Sequence, residues 1–186
     1  MFQKLAQILL SLFSWKLDLN FPSEHKYILV GAPHTSSWDL FYTLLMVYAT
    51  GIQLHWIGKD SLFRGPLGLI LRRLGGIPVN RQSRNDFVNQ IIHTLDGKER
   101  MIIAIAPEGT RSKADYWKTG FYYIALGAKV PIALGYIDYA ERTVGIGPNF
   151  YPSGDMEADF LLIRAFYTNK IGKHPERQGS VCLRTN

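Results

Sequence analysis

The sequence of 186 residues contains one cysteine and no long apolar run, and both absences exclude classes of protein. A single cysteine, Cys182, allows neither a disulfide within the chain nor a cysteine-based metal site. No run of 18 or more apolar residues occurs, so we predict no transmembrane helix. Repeats, low-complexity tracts and linkers rich in Pro, Gly or Ser are also missing, which predicts one compact domain.

Two catalytic patterns are missing as well. No G-x-S-x-G segment occurs and Cys182 lies far from every motif, which argues against a covalent acyl-enzyme. The five histidines are scattered and none belongs to an H-E-x-x-H pattern, so we predict no metal site.

The charge of the chain is moderately basic. Its net charge is +6, and the stretch from 59 to 84 holds six basic residues and one acidic residue. A basic excess favours anionic partners such as phosphorylated metabolites or acidic lipid surfaces. Nucleic acid is disfavoured, because these basic residues alternate with Leu, Ile and Gly and no nucleic-acid motif is present.

Strand and helix patterns alternate along the chain. Short apolar segments predict strands at 27–31, 54–59, 76–80, 101–106, 130–139 and 143–150. Helical spacing predicts helices at 37–50, 86–95, 119–128 and 156–171. Because several strands are apolar on both faces, we predict a single α/β domain with a mixed, largely parallel sheet covered by helices.

The first 20 residues form a separate N-terminal segment, followed by a main domain at 21–186. Leu5, Ile8, Leu9 and Leu12 follow helical spacing, which predicts an amphipathic helix. No small-residue cleavage site follows, so a signal peptide is disfavoured. Two interpretations remain: this helix docks on its own domain, or it lies flat in a membrane interface.

The segment HTSSWD, which follows the first predicted strand, carries the first candidate pair, His34 and Asp39. An imidazole accepts a proton near neutral pH, and a carboxylate on its second nitrogen orients it and stabilises the imidazolium. This geometry requires His34 in the loop and Asp39 in the first helical turn, because five residues along one helix would face different ways. The alternative is a capping box in which Asp39 only bonds back towards Ser36.

The segment APEGTRSK directly follows the strongest predicted strand. A turn at Gly109, with donors from Thr110, Arg111 and Lys113, suits an anion such as phosphate, which arginine binds in a bidentate manner. Glu108 would either orient Arg111 or accept a hydrogen bond from a substrate hydroxyl. The alternative is a solvated turn with a weak surface ion pair.

Two further segments are weaker signals on their own. In GIPVNR, Arg81 comes just after a short strand and could reach a phosphate, as could Lys59 at the end of the preceding strand. Solvated surface residues are the alternative for both. The segment VPIA at 130–133 is typical of a core strand.

Taken together and in this order, the four segments resemble the glycerolipid acyltransferase superfamily, which includes acylglycerol-phosphate (lysophosphatidic acid) and glycerol-3-phosphate acyltransferases. Its four blocks correspond here to HTSSWD, GIPVNR, EGTR and VPIA, with Ala133 where the family often has proline. The resemblance covers about 100 residues, from Gly31 to Tyr136.

This resemblance implies that His34 is the general base and that Asp39 orients it. Four residues would bind the phosphate-bearing acceptor: Arg81, Glu108, Gly109 and Arg111. The donor would be acyl-CoA or acyl-carrier protein, with no further cofactor, and the acceptor a lysolipid such as 1-acylglycerol-3-phosphate. We expect a cytoplasmic protein, peripheral to the inner face of the membrane.

Three other functions remain open at this point. The protein could acylate a different lipid acceptor, or bind lipid and membrane without catalysis. It could also hydrolyse thioesters or phosphate esters at a His–Asp site, which would release product without an acceptor alcohol.

Overall fold

The computed structural model describes residues 2–79 and 84–184, which form one sheet packed between helices. The strands are β1 (Lys16–Leu19), β2 (Lys26–Ala32), β3 (Leu54–Lys59), β4 (Gly76–Val79), β5 (Met101–Ile105), β6 (Ile132–Asp138) and β7 (Thr143–Phe150). Their order across the sheet is β1-β7-β6-β2-β5-β3-β4. The strands from β6 to β4 are parallel, whereas β7 is antiparallel to β6 and pairs in parallel with β1.

Helices cover both faces of the sheet. They are α1 (Phe2–Leu12), α2 (Trp38–Thr50), α3 (Gly65–Arg73), α4 (Arg84–Asp96), α5 (Gly120–Ala128) and α6 (Met156–Tyr167). Short 3-10 turns occur at Asp60–Phe63 and Pro175–Arg177. Helices α4, α5 and α6 pack on one face, and α1 and α2 pack on the other. Helix α3 lies beside β4 and the turn that precedes it.

The central strands form because their side chains are apolar on both faces. In β2, Ile28 and Val30 pack under α4, α5 and α6, and Leu29 packs under α1 and α2. Strand β6 is buried at all of its positions. Burial on both sides is typical of parallel strands covered by helices. The predicted α/β class, with its mixed and largely parallel sheet, is therefore confirmed.

The element boundaries agree with the predicted ones to within a few residues, with three differences. Helix α3 was not predicted, because Gly65 and Pro66 interrupt the apolar spacing of its segment. The last helix ends at Tyr167, four residues earlier than predicted. Strand β1 was not predicted, because four alternating residues next to an apolar helix give little periodic signal. The observed α1 therefore occupies only part of the 1–20 segment, and Ser14, with φ of 58°, turns the chain from this helix towards β1.

Helix α1 has two apolar faces, and this accounts for both interpretations of the N-terminus. Ala6 and Leu10 are buried against the domain. The opposite side exposes several large apolar side chains: Phe2, Leu5, Ile8, Leu12 and Phe13. The helix thus docks on its own domain and still presents an apolar surface. None of the described helices is long and apolar enough to cross a membrane.

The parallel strands bring distant parts of the sequence to one edge of the sheet. His34 follows β2, Glu108 follows β5, Tyr139 follows β6, and Lys59 ends β3. Neighbouring strands lie about 4.8 Å apart, so the loops after β6, β2 and β5 are within side-chain reach of one another. Polar groups gather at this carboxyl edge, which is where ligands bind in open α/β sheets.

Candidate active site

His34 and Asp39 form a hydrogen-bonded pair at the carboxyl edge of the sheet. The Nδ1 atom of His34 lies 3.1 Å from Oδ2 of Asp39, with His34 in the loop after β2 and Asp39 in the first turn of α2. The His34 side chain is 33% exposed, whereas that of Asp39 is only 5% exposed. A buried carboxylate therefore orients an imidazole whose other ring nitrogen, Nε2, is free of this bond.

Asp39 accepts hydrogen bonds from three other donors. Its Oδ2 atom accepts from the backbone N–H groups of Thr35 (3.0 Å) and Ser36 (2.9 Å), and its Oδ1 atom accepts from the hydroxyl of Tyr139 (2.8 Å). Burial raises the pKa of Asp39, but the hydrogen bonds from His34, Ser36 and Tyr139 lower it by more, and the net pKa lies below its ordinary value. Asp39 thus accepts from the backbone at the start of α2 and contacts His34 at the same time, whereas the role of His34 as a general base stays a prediction.

Glu108 is the second buried acid beside His34. It is 4% exposed, and its two carboxylate oxygens lie 3.2 and 3.3 Å from the backbone nitrogen of His34. Burial raises the pKa of Glu108 to about 7, against the opposing effect of that hydrogen bond. In this geometry Glu108 holds the backbone of the histidine loop from the end of β5.

Cationic side chains lie next to the same loop. Arg111 donates a hydrogen bond to the Oγ atom of Ser37, at the start of α2. Gly109 has φ of +67°, and a Cβ atom at this position would lie 2.6 Å from the Nζ atom of Lys118. Glycine therefore allows both the left-handed turn and the close approach of Lys118. Two exposed cations, Arg111 and Lys118, therefore lie at this turn.

The tail that follows α6 packs on the histidine loop from the other side. The backbone N–H of His174 donates to Oγ1 of Thr35 at 3.2 Å. The Nζ atom of Lys173 lies 4.6 Å from the ring centre of Trp38, a cation–π contact. The histidine loop is thus held by the end of β5 and by the tail. Lys173 is a third cation near this loop.

A cavity of about 1750 Å³ is lined by His34, Arg111 and Lys118. One part of it lies between α2 and α3 and is lined by apolar side chains such as Leu40, Leu44, Leu71 and Leu74. Gly31 of β2 also lines this cavity, and a Cβ atom there would meet nothing within 4 Å. Polar and cationic groups therefore adjoin an open apolar groove.

Comparison with known proteins identifies the family of this chain. A family model described as Acyltransferase matches residues 16–134, which span the sheet from β1 into β6 and include His34, Asp39 and the EGTR turn. The chain belongs to the acyltransferase family.

The fold of this acyltransferase-family protein is similar to that of a solved structure. That structure is the 1-acyl-sn-glycerophosphate (LPA) acyltransferase PlsC from Thermotoga maritima, with 18% sequence identity and a TM-score of 0.60. The match covers 90% of this chain and 74% of that one. The comparison with curated proteins gave no match. The resemblance stated from the sequence is therefore confirmed at the level of family and fold.

The remaining residues predicted to bind the acceptor lie at different distances from His34 or outside the described part of the chain. Arg81 lies outside the described residues. Lys59 is exposed at the end of β3, two strands and so about 10 Å from β2. Lys113 is exposed, and Thr110 accepts a hydrogen bond from the Ser112 N–H at 3.2 Å. Binding of the acceptor by these residues, and by Glu108, stays a prediction.

Within the part of the chain that is described, Glu108 does not orient Arg111, which was one of its two predicted roles. No ion pair joins Glu108 to Arg111, because the carboxylate is buried against the His34 backbone and the guanidinium extends to Ser37. The same part of the chain contains no group of three His, Cys, Asp or Glu side chains placed to hold a metal ion.

Two residues at the site were not predicted from the sequence. Tyr139 contacts an aspartate 100 positions away, and only the order of the strands brings the two together. Lys118 lies just before α5 and reaches the EGTR turn through the fold of the intervening loop. The only sequence signal for either was position, since both are polar residues close to the end of an apolar element.

The raised pKa of Glu108 makes stability depend on pH. The folded protein holds this proton more tightly than the unfolded chain, whose carboxyl titrates near 4.5. The stabilisation that comes from protonated Glu108 is therefore complete below pH 4.5, and it is lost as the pH rises through about 7. Between pH 5 and pH 8 we expect the free energy of unfolding of the wild type to fall by roughly 2–3 kcal/mol relative to Glu108→Gln.

Urea denaturation of both proteins at each pH measures this difference. The glutamine amide adds an N–H₂ group without a partner, but that cost is the same at every pH and leaves the slope unchanged. A difference that stays constant from pH 5 to pH 8 would contradict the prediction.

Proposed function

We propose that this protein transfers a fatty acyl group from acyl-CoA or acyl-carrier protein to a hydroxyl of a phosphate-bearing lysolipid, with His34 as the general base. The observation that carries the proposal is the His34–Asp39 pair. Its imidazole is oriented by a buried carboxylate of lowered pKa and lines a cavity beside exposed cations. This is the arrangement that general-base activation of an alcohol requires.

In the proposed reaction the acceptor hydroxyl lies within hydrogen-bond reach of Nε2 of His34. His34 takes the proton as the hydroxyl oxygen attacks the thioester carbonyl, so that a C–O bond forms and the C–S bond then breaks. Asp39 stabilises the imidazolium while it exists. The imidazolium returns its proton to the departing thiolate, and the imidazole is ready for another turnover.

The oxyanion of this reaction needs backbone donors. Backbone N–H groups at the start of α2, near Ser36, and in the turn at 108–110 are the candidates. The Ser36 N–H donates to Asp39 and the Gly109 N–H donates to the carbonyl of Ala106. Among the described residues, the N–H groups of Glu108 and Thr110 donate to no acceptor, and we propose these two as the donors to the oxyanion.

The cations beside the loop favour an acceptor that carries phosphate. Arg111 is exposed next to His34 and can bind a phosphate in a bidentate manner, and Lys118 adds a second charge. Arg81 and Lys59 stay predicted contributors. Because the structurally similar PlsC is a 1-acyl-sn-glycerophosphate acyltransferase, this lysolipid is the first acceptor to test.

The acyl chain of the donor is assigned to the groove between α2 and α3. Leu40 and Leu44 line one wall and Leu71 and Leu74 the other, so a hydrocarbon chain would be removed from water. Gly31 leaves this part of the cavity unfilled, since no atom occupies the space that a Cβ atom would face.

Membrane contact is assigned to the exposed side of α1 and α2. The rings of Phe2 and Tyr48 are 6.4 Å apart at one end of this helix pair, and those of Phe13 and Phe41 are 6.3 Å apart at the other. A continuous apolar and aromatic surface of this kind suits the interface of a bilayer. We propose peripheral attachment on the side of the membrane where the thioester donors are present.

The first experiment removes the general base. We expect His34→Ala to lower acceptor-dependent thiol release from acyl-CoA by about 10²–10⁴-fold, because no other group takes the proton from the hydroxyl. His93→Ala, an exposed histidine of α4, is the matched control and should leave turnover unchanged. Circular dichroism checks that both variants are folded.

The same assay separates the alternatives. Thiol release that depends on one member of a lysolipid panel identifies the acceptor. Release that needs no acceptor would indicate a hydrolase, and vesicle binding without thiol release would indicate a lipid-binding protein. Near-normal turnover in His34→Ala would contradict the proposed mechanism.

A second experiment fills the groove at Gly31. We expect Gly31→Leu to lower kcat/KM for palmitoyl-CoA by at least about 10-fold relative to octanoyl-CoA, because each methylene excluded from the groove forfeits about 0.8 kcal/mol. Steady-state kinetics with both donors measure the ratio. An equal loss for the two donors would place the acyl chain elsewhere.

A third experiment tests the membrane surface. We expect Ile8→Glu to reduce co-sedimentation with vesicles of phosphatidylcholine and phosphatidylglycerol by at least about 10-fold, because a charge then faces the hydrocarbon. Leu161→Glu is the matched control, since Ile8 is 61% exposed and Leu161 is 63% exposed on α6, across the sheet. Equal binding by the two variants would contradict the assignment.

A further inference from the structure

Tyr139 makes a hydrogen bond to the carboxylate of the candidate catalytic pair. Its hydroxyl lies 2.8 Å from Oδ1 of Asp39, while Oδ2 accepts from His34, Thr35 and Ser36. Among the described residues, Tyr139 is the one side-chain or backbone donor to Oδ1. The two oxygens of Asp39 therefore have separate partners.

The ring of Tyr139 is held on several sides, so its hydroxyl has a defined direction. The indole of Trp15 meets it edge to face at 5.1 Å, and the ring of Tyr42 does so at 5.8 Å. Its backbone N–H donates to the carbonyl of Ile171 at 2.8 Å. The segment after α1, helix α2 and the tail after α6 thus all contact this residue.

We propose that Tyr139 is a positioning residue for acyl transfer: it fixes the plane of the Asp39 carboxylate so that Oδ2 stays on Nδ1 of His34. The inference rests on the proposed function, since it concerns the same pair. A carboxylate can rotate about its χ2 angle, and a donor on Oδ1 restrains that rotation from the side opposite His34. Without it, Oδ2 is restrained only by neighbours in its own loop.

A tyrosine suits this position because it donates without adding charge. Burial raises the pKa of the Tyr139 hydroxyl far above its ordinary value, and the charge of Asp39 raises it further, so the group stays protonated at neutral pH. A lysine or arginine in its place would neutralise Asp39 and weaken its stabilisation of the imidazolium. A neutral donor preserves the negative charge that faces His34.

The experiment compares Tyr139→Phe with the wild type in steady-state acyl transfer from acyl-CoA to lysophosphatidic acid. Phenylalanine keeps the ring and its contacts with Trp15 and Tyr42, so only the hydroxyl is lost. We expect kcat to fall about 10- to 100-fold, as for loss of a hydrogen bond to a charged group, with KM for both substrates within about 2-fold. Tyr139→Met, which also lacks the hydroxyl, is a second variant and should show the same loss.

Tyr122→Phe is the matched control. Its hydroxyl donates to the buried Asp159 at 2.7 Å, a bond of the same type between α5 and α6 that involves no histidine. We expect it to lower thermal stability while leaving kcat within about 2-fold of the wild type. A loss of kcat as large as that of Tyr139→Phe would overturn the inference, because lost stability alone would then explain both.

A double-mutant cycle with Asp39→Asn distinguishes positioning from general structural support. If Tyr139 acts through Asp39, the double variant should have the kcat of Asp39→Asn alone, within about 2-fold. If Tyr139→Phe lowered kcat as much in the Asp39→Asn background as in the wild type, the inference would be overturned. A rise in KM with unchanged kcat would overturn it as well.

Failure of the inference and failure of the proposed function give different results. Full activity of Tyr139→Phe together with an inactive His34→Ala would overturn the role of Tyr139 and leave the proposed function standing. Absence of acyl transfer in the wild type, or full activity of His34→Ala, would overturn the proposed function and with it this inference.

Discussion

The carboxylate of Asp39 is the group on which the site depends. It is almost fully buried, and removing a charge from water is costly unless hydrogen bonds replace the lost solvent. Four donors supply that replacement: one is His34, two are backbone N–H groups of its own loop, and one is Tyr139. The loop conformation, the start of α2 and the orientation of the imidazole all follow from satisfying this one acid.

The two buried acids beside His34 have opposite pKa shifts, and the difference lies in their partners. Asp39 has enough donors to outweigh its burial, so its pKa is lowered. Glu108 faces a single backbone N–H in an equally buried place, so burial prevails and its pKa rises to about 7. Asp39 is therefore suited to stabilise an imidazolium, whereas Glu108 is suited to hold the loop backbone in either protonation state, by accepting through its unprotonated oxygen.

The two faces of the sheet are packed differently. Helices α4, α5 and α6 bury the larger apolar cluster and contribute most of the core. On the opposite face, α1 and α2 pack together while a groove remains beside α3. That face also carries the exposed apolar side chains of α1, such as Ile8 and Leu12. One face thus contributes most of the core, and the other leaves apolar surface exposed.

The sequence by itself determined the fold class and most element boundaries, and it indicated the pairing of His34 with Asp39 beside a capping alternative, because each depends on residues close together in the chain. Periodic apolar segments reveal buried strands, and a histidine five residues before an aspartate needs only a local turn to meet it. Strand β1 was too short and too polar to give such a signal. Only the tertiary structure decided that Tyr139 reaches Asp39 and that Glu108 is buried against His34. Those contacts join residues about 75 to 100 positions apart, and they exist because β5 and β6 flank β2, an order that hydrophobic periodicity does not encode.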